Sequence, residues 1–155
     1  MADAVPMSVM EPTSDERTMA ILAHVLQLVG WWIAPLIILL VKRESRFVSF
    51  HALQALLLQI VYAFVMGLCM VLWFSTIFLT IAHSPHTQNA PPPTAFFLMF
   101  PLIWLGFMAA WVVMLVIAIV YGVKASHGEW AEYPVLGSLA RHFLKIGPGG
   151  APLQC

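Results

Sequence analysis

Three long apolar runs, split by two short polar stretches and followed by a weaker amphipathic segment, set out the plan of this chain. The first run extends from Thr18 to Val41. At ~1.5 Å per residue it reaches ~36 Å, enough to cross a ~30 Å hydrocarbon core with tilt. The second begins near Ser45 and continues to Ala82, longer than a bilayer needs. Its first turns, Arg46 to Ala52, are therefore expected at the interface, leaving Leu53 to Thr80 to span. The third covers Ala95 to Val123, with Pro101 near its start, where proline is tolerated. The pattern predicts an all-α membrane protein with three transmembrane helices over 18–41, 46–82 and 95–123. An interfacial amphipathic helix over 134–145 completes it.

The punctuation of the runs refines this plan. Ser14, followed by Asp15, Glu16 and Arg17, reads as a helix N-cap with acids in the first turn. Gly30 and Pro35 predict a kink inside the first helix. The pair Trp31-Trp32 sits awkwardly in mid-span, since tryptophan prefers interfaces, and opens an alternative in which residues 18–29 re-enter or lie in the interface. Residues 1–14 read as a disordered tail, 15–145 as a single helical membrane domain, and 146–155 as a flexible tail. The segment 83–94 is a proline-rich polar loop.

Composition agrees with lipid as the solvent. Of 155 residues, 61% are hydrophobic and 9% charged, with zero formal net charge. That balance gives nothing to nucleic acid. Where the basic residues sit matters more. Lys42, Arg43 and Arg46 lie between the first two runs, Lys124, Arg141 and Lys145 follow the third, and only Arg17 precedes the first. With three spans, the basic bias puts the N-terminus outside and the C-terminus in the cytoplasm of a bacterial inner membrane. Arg141 and Lys145 are then available to anionic lipid. Cys69 and Cys155 form no disulfide framework. Neither a cleavable signal, a myristoylation site nor a prenylation box is expected.

Candidate chemistry is sparse. No acid lies within a run, and no Ser-His-Asp order, HExxH, CxxC or phosphate-cradling glycine loop is present. The chain reads as a non-enzyme without a cofactor or metal. His83 and His86 lack a third ligand in the sequence. Taking the turn at about Glu44, His51 lies ~10 Å along its helix and His24 ~30 Å along the other, so a straight hairpin keeps them apart. His51→Leu is accordingly expected to cost more than His24→Leu. Gln27 and Gln59 fall at similar depth and form a candidate interhelical pair. His51 and Gln54 share a face near Tyr121 and Lys124, a candidate polar cluster in which His51 bridges Gln54 and the Tyr121 phenol. Small residues at four-residue spacing, Ala63/Gly67, Gly106/Ala110 and Ala118/Gly122, allow close helix approach.

Three blocks taken together carry a family likeness: Asp15 to His24; Ala34 to Ile37 with Lys42 to Val48 and His51 to Leu56; and Tyr121 to Ala125 with Gly128-Glu129 and Tyr133-Pro134. The chain resembles the bacterial Tic-like membrane proteins of unknown function, which are distantly similar to the small helical subunit of the chloroplast inner-envelope import translocon. Ala34 stands where that family usually has glycine, and the proline-rich loop is unusually long. The resemblance implies a compact helical membrane domain without established catalytic residues. The expected function is a non-enzymatic subunit or scaffold of a membrane complex, with a partner protein or a homo-oligomer. The alternative is a transporter, channel or protein-translocation component.

Overall fold

The computed structural model describes residues 11–83 and 94–147. The expectations of a disordered 1–14 and a flexible 146–155 fall largely outside that range, as do the proline-rich loop and His86. Five helices make up the described residues: α1 (Ser14–Gly30), α2 (Ile33–Val41), α3 (Arg46–His83), α4 (Thr94–Ser126) and α5 (Leu136–Leu144). Two of them, over Arg46–His83 and Phe97–Ser126, are long and apolar enough to cross a membrane.

The first expected span is therefore corrected: residues 18–41 are two short helices folded back on each other. α1 has 17 residues, ~25 Å, and α2 has nine, ~13 Å. Neither alone reaches across a ~30 Å core. Their contacts run antiparallel: Gly30 lies against Ala34, Ala23 packs with Ile38, and the Asp15 carboxylate meets the Lys42 ammonium at 2.7 Å. Ser45 also donates to Glu16 at 2.6 Å. Both ends of the segment thus sit at one level, which a spanning helix forbids.

The reversal has local causes. Trp31 adopts φ 50°, a left-handed conformation unusual for a bulky residue, and turns the chain out of α1. A Cβ on residue 30 would lie 2.7 Å from that of Ala34, so the tight crossing requires glycine. Pro35 sits in the first turn of α2, where its missing N–H has no intrahelical partner to lose. The capping residue of α1 is Thr13 rather than Ser14. Its hydroxyl accepts from the Glu16 amide at 3.3 Å, and Glu16 accepts in return from the Thr13 amide at 2.8 Å.

The chain divides into two compact units. One comprises residues 11–60 and 115–147 and holds α1, α2, the first part of α3, the last part of α4, and α5. Its interior is laced with small residues. Ala23 and Ala52 pack with Ile38 and Val48; Ala20 and Ala125 close on Phe47; Ala140 meets Phe50 and Ile146. Alanine at these crossings lets backbones approach closely, as interfaces in lipid require.

The other unit, residues 61–114, holds the rest of α3 and α4 and contains no Asp, Glu, Lys or Arg. Trp73 bridges its two helices, its ring tilted against that of Phe100 with centroids 5.6 Å apart. The hydroxyls of Ser75, Thr76 and Thr80 bond back to carbonyls of their own helix at 2.7 Å. Phe64, Phe78 and Leu98 are more than two-thirds exposed, as lipid contact demands. Gly67 and Gly106 have open space where a side chain would point, so neither brings the two helices of this unit together.

Candidate functional site

The polar residues of the first unit converge on one buried chain of hydrogen bonds, and its protons have a fixed direction. The Glu129 carbonyl can only accept, so His51 Nε2, 3.1 Å away, carries a proton. In a neutral ring His51 Nδ1 then accepts, and His24 Nε2 donates to it at 3.0 Å. His24 Nδ1 is left as an acceptor for the Tyr133 hydroxyl at 2.8 Å. The order is Tyr133 to His24 to His51 to the Glu129 carbonyl, tying α1, α3 and the loop after α4. His24 and His51 are fully buried and Tyr133 nearly so.

Two further ties clamp the same loop. Gln54 donates to the Ala131 carbonyl at 3.2 Å and accepts from the Tyr133 amide at 2.6 Å. Tyr121 donates to the Glu132 carbonyl at 2.8 Å, and its ring meets that of Tyr133 edge-on at 4.3 Å. Burial pushes the Tyr133 phenol well above the ordinary tyrosine range, keeping it a hydrogen-bond donor.

Several sequence expectations are redrawn by this geometry. His24 and His51, held apart by the straight-hairpin reckoning, touch, because α1 folds back and returns His24 to the level of α3's first turns. His51 bonds neither Gln54 nor Tyr121, so the expected bridge is replaced by the histidine pair. Lys124 sits over the Tyr121 ring at 5.5 Å, at the edge of the cluster. Gln59 does reach Gln27, but donates to its backbone carbonyl at 2.8 Å. The Gln27 side-chain amide is buried beside the Tyr133 hydroxyl without an aligned hydrogen bond. Tyr133 carries no chemical signal in the sequence beyond its place in the short Tyr133-Pro134 block.

Arg141 is not free for lipid. Its guanidinium pairs with the Glu132 carboxylate, donates to the Gly147 carbonyl at 2.6 Å and lies over the Phe50 ring. Lys145 is exposed. Among the described residues, no group of three or more His, Cys, Asp or Glu side chains is placed to hold a metal.

Two long apolar helices, a hairpin that reverses short of a full crossing, and a buried lock of neutral polar groups define a small helical membrane protein. Residues 15–140 match the magnetosome magnetite crystal formation protein family, and the chain belongs to it. No curated protein and no solved structure matches the chain. The Tic-like resemblance is thereby corrected. The matched family is a different one, and its match covers all three blocks on which that likeness rests.

Proposed function

We propose that the protein is a non-enzymatic organising subunit of a membrane in which magnetite crystals form. The family match supports the process, and the dead end of the buried chain supports the absence of turnover. The chain ends on a peptide carbonyl, which neither takes nor releases a proton near neutral pH. Such a chain holds helices in place and relays nothing. The transport reading loses its motive for the same reason: Gln59, Gln54, His24 and His51 are spent on bonds within the protein.

The proposed orientation places both termini in the cytoplasm and segment 83–94 across the membrane. With the first crossing gone, Arg17 joins the other six basic residues, and all seven belong to residues 11–60 and 115–147. That distribution obeys the positive-inside rule more fully than the three-span arrangement. Arg43, Arg46, Lys124 and Lys145 are exposed cations offered to anionic headgroups, and the exposed edge of α5, with Leu139 and Phe143, lies in the interface.

The deciding experiment is complementation. A magnetosome-forming bacterium stripped of its own family members should recover its crystal size distribution, read by electron microscopy, when this chain is supplied. Unchanged crystals, with the protein present in the magnetosome membrane, would overturn the proposal.

A further inference from the structure

The α1–α2 hairpin is apolar outside and polar only at its open end. Val29, Trp31, Trp32, Ile33, Ile37, Leu40 and Val41 are each between 46% and 88% exposed. The open end carries the Asp15–Lys42 ion pair and the Ser45–Glu16 hydrogen bond, beside exposed Arg43 and Arg46. Water cannot be the solvent of so large an apolar face, while the charged end cannot leave the surface. The hairpin is therefore immersed in lipid from one side, to a depth its helices limit.

That depth is set by two lengths. From Lys42 back to the tip at Ile33 is nine residues, ~13 Å, and from Asp15 to Gly30 is fifteen, ~22 Å. The deepest polar tie to α3 is Gln59 to the Gln27 carbonyl, thirteen residues or ~20 Å along α3 from Arg46. Both fall short of a ~40–45 Å bilayer by about half. The hairpin thus adds two helices, each ~10 Å across, to one leaflet and none to the other.

We infer that this protein is a curvature-selective wedge: its re-entrant hairpin expands the leaflet on the charged side and favours membranes that are convex there. The chemistry recognised is a strained lipid surface, and the inference stands apart from any role in mineral formation. α3 and α4 cross both leaflets and contribute no asymmetry, so the preference comes from α1 and α2, with α5 adding to the same side at the shallower level of the headgroups. The hairpin is also held rigid. Asp15–Lys42 and Ser45–Glu16 tie its mouth, Ala23–Ile38 its middle, and the His24–His51 bond fixes it on α3, so lipid must yield to it.

The test uses the full chain, labelled at its N-terminus, in giant vesicles of phosphatidylethanolamine and phosphatidylglycerol from which narrow membrane tubes are drawn. The reading is the protein-to-lipid ratio on the tube relative to the flat parent membrane. Molecules with the N-terminus on the tube exterior should be enriched, giving a ratio above one. Those with it in the lumen should be depleted, giving a ratio below one; a membrane-impermeant quencher separates the two populations. A double variant, Val29→Lys with Val41→Lys, changes two outward-facing positions and draws the hairpin toward the headgroups, so its enrichment should fall toward one. An even distribution of the parent protein, equal enrichment of both orientations, or undiminished enrichment of the folded variant each overturns the inference. The orientation comparison needs no variant and decides the matter if the lysine pair fails to fold.

Discussion

Removing the middle of the buried chain tests the lock most directly. His24→Leu deletes an acceptor for the Tyr133 hydroxyl and a donor for His51 Nδ1, both within 3.0 Å and both buried. Each stranded group costs ~1–3 kcal/mol. The Gln27 amide, already beside the hydroxyl and unpaired, can turn its oxygen toward Tyr133 as a substitute, so the total is expected at ~2–4 kcal/mol rather than the full sum. Tyr133→Phe strands only His24 Nδ1 and should cost ~1–3 kcal/mol. The two changes remove the same bond from opposite ends. Added to His24→Leu, the Tyr133→Phe change should therefore be nearly neutral, leaving a coupling of ~1–3 kcal/mol. Reversible unfolding in mixed micelles, followed by circular dichroism on the parent, both single variants and the double variant, supplies the cycle. Costs that add to within ~0.5 kcal/mol would show the hydroxyl and the imidazole to be independent, and the directed chain would be wrong. The structure also reverses the ranking expected from sequence depth: His24→Leu should be at least as damaging as His51→Leu.

Gly137→Ala should destabilise by ~1–3 kcal/mol in the same assay, because the new methyl would lie 2.5 Å from the Glu132 Cβ and 2.9 Å from its Cα, and backbone must move. Gln59→Leu should cost ~0.6–2 kcal/mol by freeing the Gln27 carbonyl in an apolar setting; no change would mean that another donor replaces it. Glu16 has its carboxyl held below the usual range, first by the Ser45 hydroxyl and then by the Thr13 amide. Its contribution is present above the unfolded carboxylate range and is lost as pH falls through the lowered folded value. Glu16→Gln should therefore flatten the acid limb of the stability profile while leaving its alkaline side parallel to that of the parent. Topology reporters at the N-terminus and after Lys145 should give matching signals, with the opposite signal after Asn89; opposite signals at the two termini would restore a third crossing.

How much of this was legible in the residues can be judged helix by helix. The runs 46–82 and 95–123 needed only their length and their lack of charge, because a helix that satisfies its own backbone and meets lipid on all sides is a local property. The helix after Pro134 was equally visible in its amphipathic spacing. The first run is where local reading stopped. Gly30, Trp31-Trp32 and Pro35 marked a discontinuity, and the tryptophan pair hinted at re-entry. A kink and a reversal nonetheless leave the same marks in sequence. What separates them is whether Asp15 finds Lys42 and Gly30 finds Ala34, and these are contacts that only the folded chain makes. The buried lock shares that dependence. His24, His51, Gln54 and Tyr121 announced themselves as polar residues in apolar runs, but half of their bonds go to backbone carbonyls of residues 129–132, which every residue carries and no sequence pattern distinguishes. Composition and spacing settled the membrane class and the two long apolar helices. The partner of each polar atom, and with it the reversal of the first run into two antiparallel helices, was decided by packing alone.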